Sequence, residues 1–130
     1  MKKFIVKTFK KKFIKKYAKS LIDLFPNAKR GIENLQMGIQ LSEKNEFIKS
    51  RILLDDASYE LTKELPENHQ VIGLSYNNLA ECMRKIPNNQ LQTNNKFHYN
   101  NIKELYENVI NIWSTEENQK SAEVIYCLGK

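Results

Sequence analysis

Phe47, Ser50, Leu54, Ala57 and Leu61 are separated by steps of three, four, three and four residues, and so are Tyr99, Ile102, Tyr106, Val109 and Trp113. A stripe with that spacing comes onto one side only in an α-helix, whose period is 3.6 residues. Strict alternation, the mark of a half-buried strand, is nearly absent. Four Gly and three Pro in 130 residues are few for a chain of many strands and tight turns. These features predict an all-α chain of about six helices. No apolar run approaches the roughly 20 residues of a membrane-spanning helix.

The spacing predicts a first helix over 3–25, with Val6, Phe9, Phe13, Tyr17, Leu21 and Leu24 on one stripe and lysines around it. Pro26 ends it, because proline cannot continue the hydrogen-bond ladder and disfavours helix in Phe25 before it. A second helix covers 32–42, with Leu35, Gly38, Ile39 and Leu41. A third covers 46–65, closed by Pro66, and a fourth covers 69–85. Residues 86–95 read as a loop by composition, rich in Asn and Gln. The fifth helix carries the stripe from Tyr99 to Trp113. Ser114 and Glu117 have the spacing of a capping box, which would start a sixth.

A long period runs through these elements. "LQMGIQL" and "NNLAECM" align with Met37 on Leu79 and Gly38 on Ala80, an offset of 42. "YCLGK" aligns Leu128 on Leu79 and Gly129 on Ala80, an offset of 49. The stripes of the third and fifth helices superpose at an offset of 52, from Phe47 to Tyr99. The units are therefore helix pairs, and the second has ten more residues between its helices, in the Asn-rich stretch. Small residues (Gly38, Ala80, Gly129; Ser50 and Ala57 opposite the first, with Ile102 and Val109 as exceptions in the second unit) stand where two helices of one pair would cross closely.

"LPENHQVIGLSYNNLA", from Leu65 to Ala80, resembles the tetratricopeptide repeat, and the 42-residue spacing is similar to that of the kinesin light chain type. "YENVINIW", from Tyr106 to Trp113, looks like the end of that repeat's second helix. The resemblance covers about residues 32–130. It departs from the pattern in lacking the Gly inside each pair, with Asn45 the nearest substitute. It implies a short right-handed array of helix pairs whose first helices line a concave groove. On this chain the groove would be Leu35 and Ile39, then Asn77, Asn78, Glu81 and Arg84, then Glu123 and Tyr126. An Asn amide, with two donors and an acceptor, can hold extended peptide backbone. Bonding of Asn77 or Asn78 to a neighbouring helix end is the competing reading.

Nothing marks a catalyst. His69, beside Glu67 and near Pro66, has no Ser, Cys or Thr placed by any motif to act on, and reads as part of the turn before the fourth helix. His98, beside the Asn-rich loop, reads as solvated. Asp55 and Asp56 point about 100° apart on a helix and read as a solvated face. Cys82 and Cys127 have no second Cys or His at metal-ligand spacing and read as small buried residues. No cofactor and no small-molecule substrate is expected.

Charge divides the chain. Residues 1–20 hold nine lysines (Lys2, Lys3, Lys7, Lys10, Lys11, Lys12, Lys15, Lys16 and Lys19) and no acid, while 21–130 hold 12 Lys and Arg against 15 Asp and Glu. Residues 1–26 therefore read as a basic amphipathic arm and 27–130 as the helical-repeat domain. The arm fits a mitochondrial targeting helix, a membrane-surface helix, a nucleic-acid contact or docking on an acidic protein, and a solvated helix capping the first repeat needs none of these. The expected location is mitochondrial, with a cytoplasmic one as the alternative. The expected role is a non-catalytic subunit of a larger assembly, with a peptide-binding adaptor or an RNA-associated protein as alternatives. Val124 and Leu128, on a last helix without its pair, would dock on another subunit.

Overall fold

A computed structural model describes residues 18–87, 90 and 95–115. They form five α-helices: α1 (Ala18–Leu24), α2 (Lys29–Glu43), α3 (Phe47–Glu64), α4 (Gln70–Lys85) and α5 (Asn95–Trp113). A 3-10 turn, Pro26–Ala28, joins α1 to α2. There is no strand among the described residues. Most of the lysine arm and the sixth helix lie outside them, and with these Lys2 to Lys16, Glu123, Val124, Tyr126 and Leu128.

Local chemistry sets the helix ends. Leu65 leaves the helix with φ −96° and ψ 156°, the extended geometry that Pro66 imposes on the residue before it. α4 begins at His69, whose Nδ1 accepts the Val71 amide at 3.1 Å. That bond satisfies one of the donors left over at a helix start, so His69 is a cap. The two tight turns, between α2 and α3 and between α3 and α4, each hold one asparagine in the left-handed region, Asn45 at φ 63° and Asn68 at φ 61°. Asparagine tolerates that conformation better than most residues, so Asn45 does stand in for glycine.

Consecutive helices lie side by side: α2 on α3, α3 on α4, and α4 on α5. The α3 stripe read from spacing is the buried one: Ser50, Leu54, Ala57 and Leu61 are all fully enclosed. Burying a leucine of this kind stabilises by about 1.5–3 kcal/mol relative to leaving it in water. Across from it, Gly38 lets α2 and α3 close: a Cβ there would stand 2.7 Å from Leu54 Cγ. The same closeness lets the Ser50 hydroxyl donate to the Gly38 carbonyl at 2.6 Å.

The hairpin α2–α3 and the hairpin α4–α5 make corresponding contacts. A Cβ on Gly31 would meet Glu60 and Leu61, and a Cβ on Gly73 would meet Ile112 and Trp113. Gly73 lies 42 residues after Gly31, and Ile112 and Trp113 lie 52 after Glu60 and Leu61. A second correspondence closes the turns. The Glu46 amide donates to the Leu41 carbonyl at 2.9 Å, and at the same offsets the His98 ring bonds the Met83 carbonyl at 2.9 Å. A carbonyl only accepts, so His98 Nε2 carries the proton.

Several residues sit differently from their spacing. His98 is 6% exposed, not solvated, because it closes the second hairpin from inside. The buried ladder of α5 is His98, Ile102, Leu105, Val109 and Ile112, with Leu105 partly buried. It shares Ile102 and Val109 with the expected ladder, but Tyr99 is turned out. Leu24 is 73% exposed, while Ala18 and Leu21 join the core, so the end of the arm rests on the body through only part of its stripe. Ser114, the described half of the expected capping box, turns its hydroxyl back to the Ile110 carbonyl. Asp56 is no mere solvated acid. It accepts from Asn34 at 2.6 Å and Arg30 at 3.3 Å, tying α3 to α2, whereas Asp55 is exposed.

Candidate functional site

Positions 77, 81 and 84 share one side of α4, being four and three residues apart. Asn77 and Glu81 are half-buried and Arg84 is exposed. Glu81 and Arg84 both stand beside Tyr106 of α5. Burial pushes the Tyr106 phenol above its ordinary value, and the Glu81 carboxylate adds to the shift. Arg84 opposes it through its charge and a side-chain hydrogen bond. The structure thus gathers an amide, a carboxylate, a guanidinium and a phenol on one accessible patch of the second hairpin. Such a patch can hydrogen-bond peptide groups and pair with charges of either sign.

Three other expected groove residues, Leu35, Ile39 and Asn78, are not on it. Leu35 and Ile39 are wholly enclosed and belong to the core. They occupy in the first hairpin the positions that Asn77 and Glu81 occupy in the second. Their side chains, being apolar, close the face that the second hairpin leaves polar. Asn78 is also buried, and its amide donates to the Leu74 carbonyl one turn back at 2.8 Å. It serves its own helix rather than the groove or a neighbouring helix end. Lys19, the one arm lysine among the described residues, is exposed.

A second feature escaped the sequence. A groove of about 490 Å³ runs between α3 and the α4–α5 hairpin, lined by Asp55, Tyr59, Thr62, Lys63, Tyr76, Leu79 and Leu105, with Ser58 at its floor. Its depth is set by the contact between α3 and α4, which is polar where cores are usually apolar. The Ser58 and Ser75 hydroxyls lie 3.2 Å apart, both buried, and the Thr62 and Tyr76 hydroxyls lie 3.1 Å apart. The spacing of small hydroxyl residues on facing helices was the available signal.

Cys82 belongs to the same contact. It is fully buried, and its thiol donates to the Phe47 carbonyl at 3.0 Å. Burial pushes this thiol above its ordinary value of 9.0, against smaller opposing effects of the Ser50 hydrogen bond and of Arg51 and Lys85. The unfolded chain therefore releases this proton at lower pH than the folded one. Its contribution to stability is intact below pH 9 and declines as pH rises from there. Urea titrations above pH 9 should show a shallower loss of stability in Cys82→Ala than in the unsubstituted chain.

No group of three or more His, Cys, Asp or Glu among the described residues stands where it could share a metal ion. No described helix is long and apolar enough to cross a membrane. No protein-family model, curated protein or solved structure matches the chain.

Proposed function

We propose that the chain is a non-catalytic scaffold, a short right-handed array of helix pairs resembling the tetratricopeptide kind, that serves as a subunit of a larger protein assembly. The observation that carries this reading is the pair of corresponding glycine contacts, Gly31 on Leu61 and Gly73 on Trp113, at offsets of 42 and 52. Two hairpins built on the same register favour a stacked array, and arrays of this kind work by presenting surface to other proteins. The patch of Asn77, Glu81, Arg84 and Tyr106 supports protein contact because it combines hydrogen-bonding groups and both charges on one helix side.

The experiment is affinity purification of the tagged full chain beside its Glu81→Lys/Arg84→Glu variant. Both residues keep some exposure, so the variant should melt within a degree or two of the parent while losing its protein partners. Unchanged partners in a folded variant would remove the patch from the proposal. A single extended peptide retained through Asn77 would favour the adaptor reading instead.

The lysine arm belongs to the same proposal as an accessory anchor, with a mitochondrial address as one of its readings. An RNA role would appear as steep loss of binding between 50 and 200 mM salt, since each neutralised phosphate releases counterions. Assembly through helix faces would be far less sensitive.

A further inference from the structure

Ile48, Ile52, Asp55 and Tyr59 are all exposed and fall in one line along α3, at steps of four, three and four. The line lies on the side of the helix turned away from the buried stripe of Ser50, Leu54, Ala57 and Leu61. Three of its members are large and apolar: Ile48 is 45% exposed, Ile52 61% and Tyr59 68%. The second hairpin shows a solvated outer face in the same register. At the offset of 52 the equivalent positions are Asn100, Glu104, Glu107 and Asn111, all exposed and all polar. Single exposed apolar residues are ordinary. Three in line over about 16 Å of helix, where the matching positions carry none, mark a contact face.

We propose that this face docks on the same face of a second copy of the chain, the two α3 helices running antiparallel about a two-fold axis. Steps of four, three and four read the same in both directions. A reversed copy therefore lays every member of the line against another. Ile48 meets Tyr59 of the second copy and Ile52 meets its Asp55, each contact occurring twice, as two-fold symmetry requires. Asp55 is the one member that needs a base beside it, and the chain supplies one. Lys49 stands on the flank of the line, three residues before Ile52, and so within one turn of the other copy's Asp55. Lys49 is exposed, and its own-chain contact is a surface pair with Glu46 at 3.7 Å, which stabilises little. A different partner would have to bring a base for Asp55 and an acid for Lys49 at matching spacing. An antiparallel copy has both by inversion, and that charge match is the argument for this occupant. The proposal goes beyond the patch on α4 and uses none of its residues. One helix pair makes a contact below the roughly 1,200 Å² of standard interfaces, so the dimer should be reversible.

Sedimentation equilibrium of the full chain in reducing buffer, over a series of concentrations, tests this. A monomer–dimer equilibrium is expected. Ile52→Glu should weaken it by at least about tenfold, since it puts a carboxylate opposite Asp55 at the centre of the contact. Lys49→Asp and Asp55→Lys, which each bring like charges together, should each weaken it by about fivefold, and the double swap should return it to within about twofold of the parent. Glu104→Lys, at the α5 position matching Ile52, should leave the dimer unchanged. All these positions are exposed, so thermal melts should show every variant folded. The docking is overturned if the chain stays monomeric at every concentration, or if the dimer is indifferent to Ile52→Glu. It is equally overturned if Glu104→Lys weakens the dimer as much as Ile52→Glu does, or if the double swap is no tighter than either single one. None of these results touches the α4 patch, whose partners are read separately by the Glu81→Lys/Arg84→Glu variant.

Discussion

Gly38→Leu is expected to cost about 3 kcal/mol or more, the upper end of what overfilling a tight contact does, and so to lower the melting temperature by roughly 10–20 °C. Even a Cβ at this position reaches 2.7 Å from Leu54 Cγ and Cδ2. The helices cannot part to admit it without stretching the 2.6 Å bond from Ser50 to the Gly38 carbonyl. Gly38→Ala sharpens the test, because two effects oppose. Alanine gains about 1 kcal/mol of helix propensity over glycine, yet its methyl meets a branched side chain fixed in a core. The contact should win, giving a net loss. In a Leu54→Ala background the obstacle is gone, and Gly38→Ala should turn neutral or stabilising. Thermal melts of the four proteins form a double-mutant cycle. Additive effects would mean that Gly38 and Leu54 do not set the distance between α2 and α3.

Leu35→Asp should leave the chain unfolded at 25 °C, whereas Asn77→Asp, at the corresponding position 42 residues later, should leave it folded. Leu35 is fully enclosed, and none of its neighbours in the core cluster is an ionised partner for a carboxylate. An unpaired buried charge costs several kcal/mol, against a total stability of about 5–15 kcal/mol for a domain. Asn77 keeps access to water, so a charge there stays solvated. Circular dichroism separates the outcomes. A folded Leu35→Asp that merely lost a partner would return Leu35 to the binding face.

The helices were legible because burial of one stripe leaves a period in the sequence. α3 shows this best: four of its five buried residues, Ser50, Leu54, Ala57 and Leu61, are on the spaced stripe, and only Ser58 lies off it. α5 shows the limit. Tyr99 and His98 are adjacent, and either begins a ladder of threes and fours through Ile102 and Val109. Hydropathy favours Tyr99, yet the Met83 carbonyl takes the His98 imidazole beside the bond it accepts from the Ile86 amide, and that contact leaves no periodic mark. The groove residues failed for a related reason. Equivalent positions on two hairpins share a direction but not an environment, so Leu35 is closed where Asn77 is open. One signal was present and unread: Gly31 and Gly73 lie 42 apart, the same step as Gly38 to Ala80. Asp56 could not be distinguished from Asp55 by type or spacing, since what sets it apart is Asn34 on another helix.

The first hairpin is closed by a backbone amide, Glu46 to Leu41, and the second by a side chain, His98 to Met83. A backbone bond fixes the number of residues between its ends; an imidazole on the next helix does not. Connection length in the second hairpin is thus uncoupled from helix register, and the chain can vary it almost freely: doubling a flexible loop costs only about 0.6 kcal/mol of closure entropy. Residues 88–94 are therefore where this molecule should accept a peptide tag or a whole inserted module, while one added residue beside Asn45 would force α2 and α3 out of step. The same bond places a single ring where α5 rejoins the body, since the His98 imidazole holds the start of that helix against the Met83 carbonyl.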